Sequence, residues 1–449
     1  MADGVCAVSD RIQEIMEQVS AHSDVRRSLA WIHADVERTI EEQIELTEIA
    51  APSFQEALRG ERFKEKLEAL FLEDVCIDPV GNVTGIRRGV GDGPTLLICA
   101  HLDTVFPAGT DVSVKRREGR LFAPGIADDG RGLATVLGLA RALQESGIKT
   151  RGDILFGATV GEEGLGDLRG VKALFGGHTQ AEPAQAGLTS ADYVPRIDGF
   201  ISIEPGSPSR TTYLATGSRR YRITFHGQGG HSFGDFGTPS AIHALGRAIA
   251  NIADLRPPRD PKTTFNVGEI SGGTSVNTIA QRASMLLDLR SNSLAELSAL
   301  EEQALCAVRA ACDEENRGVD RPKLRVEIEK IGDRPAGEQS PDAPIVRASL
   351  AAARVLGLEP VLDQAQSTDA NVPIQLGIPS VTLGGGGDCG GMHTLEEFFD
   401  PRGSHVGVQH AFLTMLALVG VRDAWEPLLE NRSASQSRSL NCGADETLV

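Results

Sequence analysis

Thr95-Leu96-Leu97-Ile98-Cys99-Ala100-His101-Leu102-Asp103 is the stretch on which the fold turns. Residues 95–100 form a short apolar run, as expected of a strand buried on both faces. His101 and Asp103 follow at once. Similar runs recur: 153–160 leads into Gly161-Glu162-Glu163-Gly164, 200–203 into Glu204-Pro205, and 380–383 into four glycines with His393 shortly beyond. Apolar helical sequence, such as 132–143, lies between them. Buried strands alternating with helices predict an α/β fold on a mainly parallel sheet. The carboxyl ends of such strands line one crevice. The polar residues at the ends of the runs are therefore expected to converge.

Outward from this centre, residues 10–75 read as helical, with one helix over 27–51 and a second over 54–72. The pattern changes near 215. Residues 218–226 alternate as a strand with one wet face does, 240–251 form an amphipathic helix, 281–290 a strand, 294–314 a helix, and 324–331 alternate again. The strand-helix-strand-strand-helix-strand order predicts a small α+β domain with two helices on one sheet face. After Pro335 the α/β character returns, with a helix over 343–356. The expected organisation is thus a catalytic domain in two parts, 1–215 and 335–430, with 216–334 inserted between them. The Ser-rich polar tail, 431–449, is expected to be disordered.

The 449 residues carry a net charge of -18, which disfavours nucleic acid or an anionic membrane as partner. No apolar run approaches the roughly 18–20 residues that span a bilayer. The opening Met1-Ala2-Asp3-Gly4-Val5-Cys6 has no basic flank and apolar core, so no signal peptide is expected. The cysteines number seven and include no CxxC pair. A cytoplasmic, reducing setting is expected.

Each polar residue at a strand end has an ordinary structural explanation when taken singly. His101 can cap a strand, Asp128 and Asp129 can cap the helix that starts near Gly130, and Glu162-Glu163 can be a solvated loop. Glu204 can mark a strand exit and His393 can lie on the surface. Gathered in one crevice, these acids and imidazoles would repel one another and lose hydration. A pair of divalent cations removes that conflict. Mixed imidazole and carboxylate donors suit Zn²⁺, and less specifically Co²⁺ or Mn²⁺.

The motifs His101-Leu102-Asp103-Thr104-Val105, Gly125-Ile126-Ala127-Asp128-Asp129, Gly161-Glu162-Glu163-Gly164, Ile203-Glu204-Pro205 and Gly391-Met392-His393-Thr394-Leu395-Glu396-Glu397 resemble those of a known family. It comprises the co-catalytic zinc peptidases and deacylases, among them carboxypeptidase G, peptidase T, acetylornithine deacetylase and succinyl-diaminopimelate desuccinylase. The likeness runs from about residue 40 to 425. It implies a zinc-exopeptidase-like catalytic domain with an inserted lid and dimerisation domain, and hence a homodimer.

The resemblance also implies roles. Asp128 is the carboxylate bridging two metals, His101 and Glu204 complete one metal site, and Glu163 and His393 complete the other. Asp103 orients His101 without touching metal. Glu162 is the general base that activates the water and protonates the leaving amine. A cis peptide is implied at Asp128–Asp129. In the inserted domain, His231 of Gly229-Gly230-His231-Ser232 corresponds to a histidine that reaches the partner's active site, where it donates to the oxyanion. Without the resemblance, His231 reads as a plain loop residue. Asn277 and Arg290 correspond to residues that bind the oxyanion or substrate. Arg290 can also be read as a salt bridge at a strand end. The glycine loop around Gly385 lets backbone approach the substrate.

The reaction implied is cleavage of short peptides by a di- or tripeptidase. The alternative is an N-acyl amino acid deacylase on the same metals, and a non-catalytic metal-binding homologue is more distant. Two departures bear on substrate: Gly130-Arg131 stands where many members have lysine, and Asn277-Thr278-Ile279-Ala280 replaces the common Asn-x-Ile-Pro.

Overall fold

A computed structural model describes residues 2–176, 196–318 and 320–431, with the side chains of 2–10 excepted. The expected tail therefore lies outside the described residues beyond Asn431. The chain divides into two compact units, Met1–Leu214 with Glu338–Val449, and Ala215–Gly337.

In the first unit an eight-stranded sheet has at its centre four adjacent parallel strands. In spatial order they are Asp153–Thr159, Thr95–His101, Gly199–Glu204 and Ser380–Gly384. These are the four apolar runs of the sequence. Each is flanked by chain on both sides, so the edge falls on other strands. Val83–Arg87 and Glu73–Ile77 extend one side antiparallel, and Arg210–Thr212 pairs antiparallel on the other. Leu96, Ile98, Phe156, Ile201 and Val381 of the sheet share one core with Leu133 and Leu137 of the helix Gly130–Ser146 and Phe412 of the helix His405–Val419.

The single helix expected over 27–51 is instead two, Ser23–Ala34 and Val36–Thr47. Asp35 breaks it with φ -83 and ψ 3. Its carboxylate is held at 2.7 Å by Nη2 of buried Arg141, which also donates to Thr39 and Glu42. A long-range ion pair fixes the break, and helical periodicity is blind to it.

His410 lies wholly buried in the last helix. Its Nε2 donates to the Ser349 carbonyl at 2.8 Å, and its Nδ1 is buried without a partner. Burial pushes this imidazole down to about 4. Between the ordinary imidazole pKa and that value only the unfolded chain takes up the proton. The stability is therefore present at neutral pH and is lost as pH falls toward 4, by up to about 3 kcal/mol. The stability gap between the wild type and His410→Gln should shrink as pH drops from 7 to 4.5 in urea titrations. A constant gap would contradict this.

The second unit is a four-stranded antiparallel sheet, ordered Thr263–Gly272, Arg282–Ser291, Gly217–His226, Arg325–Arg334. The helices Ala241–Ala253 and Leu294–Glu315 bury one face through Ile223, Phe225, Met285 and Leu287. A small antiparallel sheet in the first unit was not foreseen. Its strands Asp388–Gly390, Phe398–Asp400, Arg120–Phe122 and Lys115–Arg117 have three residues each, too few for alternation to show.

Candidate active site

The parallel register brings the strand ends together. His101 is the last residue of its strand and pairs with Thr159, while Gly384 pairs with Glu204 at the end of theirs. Beyond Thr159 the chain turns through Gly161, whose φ of +66 is a left-handed conformation that glycine adopts without strain. That turn aims Glu162 and Glu163, both buried, at the same edge.

Asp128 arrives from the loop before the helix Gly130–Ser146. That loop is bound by Glu397, a buried carboxylate that accepts the backbone N–H groups of Gly125, Ala127 and Asp128 at 2.9, 2.8 and 2.9 Å. Burial pushes its carboxyl up to about 7 against those hydrogen bonds. The peptide between Asp128 and Asp129 is cis, as the resemblance implies. Asp129 faces the other way. Its carboxylate caps the helix through Gly132 N–H and accepts from His101 N–H, at 2.9 and 3.0 Å. His393 stands on the loop joining the strands Asp388–Gly390 and Phe398–Asp400, with φ +63, an uncommon conformation for a residue with a side chain.

The geometry is centred on Asp128. Its Oδ1 lies 3.0 Å from His101 Nε2, and its Oδ2 lies 3.2 Å from His393 Nε2. His393 Nε2 is also 2.9 Å from Glu163 Oε1, and His101 Nε2 is 3.8 Å from Glu204 Oε2. The structure thus brings His101, Asp128, Glu163, Glu204 and His393 together. His101 Nδ1 is 3.0 Å from the Asp103 backbone carbonyl, an acceptor only, so Nδ1 carries the proton and Nε2 is left to face the carboxylates.

Asp103 stands beside this imidazole, as expected, through two groups. Its carbonyl takes the Nδ1 proton, and its carboxylate lies 3.7 Å from Nδ1, an ion-pair distance. The carboxylate also accepts from the backbone N–H groups of Glu162 and Glu163 and from Ser53 Oγ, at 2.9, 3.1 and 2.6 Å. Asp103 therefore faces both His101 and the Glu162-Glu163 turn.

The electrostatics are those of crowded acid. Burial alone would depress the imidazole of His101, but Asp103 and Asp128 outweigh it and hold it well above its ordinary value. Hydrogen bonds to Asp128 and Glu163 push His393 up to about 10. Burial raises Asp129 and Glu204 well above the carboxylate range. Donor atoms of His101, Asp128 and Glu163 lie within 4.8 Å of one another, as do those of His101, Asp129 and Glu204. The second group includes Asp129, but two backbone N–H groups already occupy its oxygens, so Asp128 is the better shared donor. Nitrogen and oxygen donors, a carboxylate divided between two imidazoles and an excess of negative charge fit a pair of divalent cations.

Residues 97–417 match peptidase family M20/M25/M40. The chain belongs to that family. It is a hydrolase of the peptidase and amidohydrolase class. The chain is 26% identical to the Bacillus subtilis (strain 168) protein YqjE over 372 residues, covering 80% of this chain and 92% of that one. It is 32% identical over 201 residues to the cysteinylglycine-S-conjugate dipeptidase of Corynebacterium striatum, covering 42% of each. A tripeptidase structure from Staphylococcus aureus superposes with TM-score 0.67 at 24% identity, over 84% of this chain and 97% of that one. That match extends the agreement to the fold. Among the described residues, no helix is long and apolar enough to cross a membrane.

The other expected M20 site residues lie as follows. Gly385 is buried, donates its N–H to the Glu204 carbonyl at 2.8 Å and accepts from Arg131 Nε at 2.8 Å. In the second unit, exposed His231 pairs in register with Thr278, and the Ser232 N–H donates to the Asn277 carbonyl at 3.0 Å, so these two loops are joined. Arg290 Nε donates to Asp288 Oδ2 at 2.7 Å.

Sequence reasoning missed Glu397, Ser53 and Arg131. Glu397 lay in a quoted motif, but nothing local reveals three backbone partners 269–272 residues away. Arg131 is wholly buried, donating to Gly385 and Ser404 carbonyls over the Phe399 ring. Glu397→Ala should strand three buried N–H groups at about 1–3 kcal/mol each and loosen the Asp128 loop. The expected result is a lower Tm and a metal affinity reduced about 10–100-fold, read by chelator competition. Unchanged metal affinity would contradict the role assigned to Glu397.

Proposed function

We propose that this chain is a two-metal exopeptidase that hydrolyses short peptides of two or three residues. The observation that carries the reading is the placing of the two Asp128 oxygens against two different imidazoles, His101 and His393, at 3.0 and 3.2 Å. In this reading His101, Asp128 and Glu204 would hold one cation, and Asp128, Glu163 and His393 the other, with zinc favoured by the donor set. Cations held there would neutralise the clustered acid and supply Lewis acidity to the attacking water and the scissile carbonyl. Glu162 takes the proton of that water and delivers it to the leaving amine. Asp103 holds the Glu162-Glu163 turn so that one carboxylate stays free for proton transfer while its neighbour binds metal. The similarity to a dipeptidase over part of the chain supports the peptide substrate.

His231 acts on the oxyanion in the partner subunit of a homodimer, Asn277 and Arg290 bind the substrate's polar groups, and residues 215–337 serve as lid and dimerisation domain. The protein works in the cytoplasm. The test is a panel of di- and tripeptides beside N-acetyl and N-succinyl amino acids. Turnover of peptides is expected. Turnover of the acyl compounds alone would replace this reading with a deacylase on the same metals. Mixing inactive His231→Ala and Glu162→Ala chains should recover activity in hybrid dimers, and no recovery would remove the trans role.

A further inference from the structure

Between Glu163 and the helix Arg169–Phe175 the backbone is strained. Asp167 and Leu168 both carry side chains, yet both are left-handed, with φ +55 and +60. Such backbone persists only where its surroundings hold it. Leu168 is held by full burial. Arg169, the next residue, joins several segments at once. Its Nη1 donates to the Val80 carbonyl at 2.8 Å and its Nη2 to the buried carboxylate of Glu56 at 2.7 Å. Its guanidinium carbon lies 5.2 Å from the centre of the Phe54 ring. Its stem crosses Gly161, where a Cβ would come within 2.7 Å of Arg169 Cγ and Nε. Phe54 is left-handed too, with φ +72, and follows Ser53, whose Oγ donates to Asp103 at 2.6 Å. Asp103 in turn accepts the N–H groups of Glu162 and Glu163. Arg169 thus clasps the Glu162-Glu163 turn from two sides, at Gly161 through its stem and at Ser53-Phe54 through its guanidinium.

We infer that Arg169 is a positioning residue for Glu162: it sets the direction in which that carboxylate leaves the turn and keeps the strained loop 164–168 from relaxing. This rests on the reading of Glu162 as the general base. Proton transfer requires the carboxylate within hydrogen-bond reach of the proton it takes, and a misplacement of about 1 Å costs up to ~10²-fold in rate. Without the guanidinium, Asp167 and Leu168 can return to ordinary backbone, and the turn they follow moves with them. Glu163 has a second hold, since its Oε1 lies 2.9 Å from His393 Nε2. The base is therefore the group displaced more, and the loss falls on kcat rather than KM. Lysine does not replace Arg169, because one ammonium lacks the planar fork that reaches Val80 and Glu56 while covering a ring.

The experiment uses the full chain with Zn²⁺ saturating and whichever di- or tripeptide or N-acyl amino acid the wild type turns over fastest. Arg169→Met keeps the stem on Gly161 and removes the guanidinium. It should lower kcat at least about tenfold with KM nearly unchanged. Arg169→Lys should recover only part of that loss. Phe54→Leu removes the stacked ring at an exposed position, should lower kcat by less, and guards against a misfolded Arg169 variant. The deciding comparison is made on the Glu162→Gln background. There Arg169→Met should add almost nothing, because the group it positions is gone. A lesion that merely weakens the fold would slow both backgrounds alike. Hydrogen exchange gives a readout apart from turnover: Arg169→Met should speed exchange over 161–168 while 95–101 stays protected. Equal losses on both backgrounds, wild-type kcat in Arg169→Met and Phe54→Leu, or unchanged exchange over 161–168 would each overturn the positioning role. A near-normal kcat in Glu162→Gln itself would instead remove the base, and this role with it. No turnover of any probe by the wild type would reject the hydrolase reading on which both stand.

Discussion

Glu162→Gln is expected to reduce kcat by about 10²–10⁴-fold while both metals stay bound. Glu162 is buried at the crevice, and its backbone is fixed by the Asp103 carboxylate at 2.9 Å. It belongs to neither group of clustered ligand atoms, whereas its neighbour Glu163 does. Its charge reaches the site nonetheless, since it helps to raise the Glu204 carboxyl. A carboxylate beside the clustered donor atoms but outside both groups suits proton transfer. Glutamine keeps the shape and removes the basicity. The paired measurement is kcat together with metal content per chain. A near-normal rate would remove Glu162 as base, and loss of metal with the rate would reassign it as a ligand.

The second large effect is expected at Asp128. Exchange for alanine removes the donor that faces both imidazoles. Loss of an outer-shell partner costs about 10–100-fold in metal affinity, so loss of the shared ligand should exceed about 100-fold and abolish turnover. Circular dichroism should show the fold intact, because Asp128 is at the rim of the sheet and outside its apolar core. The variant should resemble chelator-treated wild type in rate. If Asp128→Ala retains one tightly held metal and measurable activity, the bridging role fails. In that case Asp129, which also has an oxygen near His101 and Glu204, becomes the shared carboxylate.

Much of this site was legible because it sits where periodicity is strongest. Four apolar runs announced four buried strands, and the residues just past them, His101, Glu162-Glu163, Glu204 and Gly385, follow from strand polarity in a parallel sheet. What stayed hidden depends on contacts between distant segments. The hairpin that carries His393 is built of strands three residues long. The break at Asp35 depends on Arg141, 106 residues away. The split duty of Asp103, carbonyl to His101 and carboxylate to the next turn, is a matter of backbone geometry. Glu397 reads as one acid in an acidic motif until its three N–H donors are seen.

The central claim is that one carboxylate holds two cations in common, and titration calorimetry tests it most directly. Chelator-stripped protein titrated with Zn²⁺ should take up two equivalents per chain, with activity returning in step. Uptake of one equivalent or none, or full activity in the stripped protein, would contradict it.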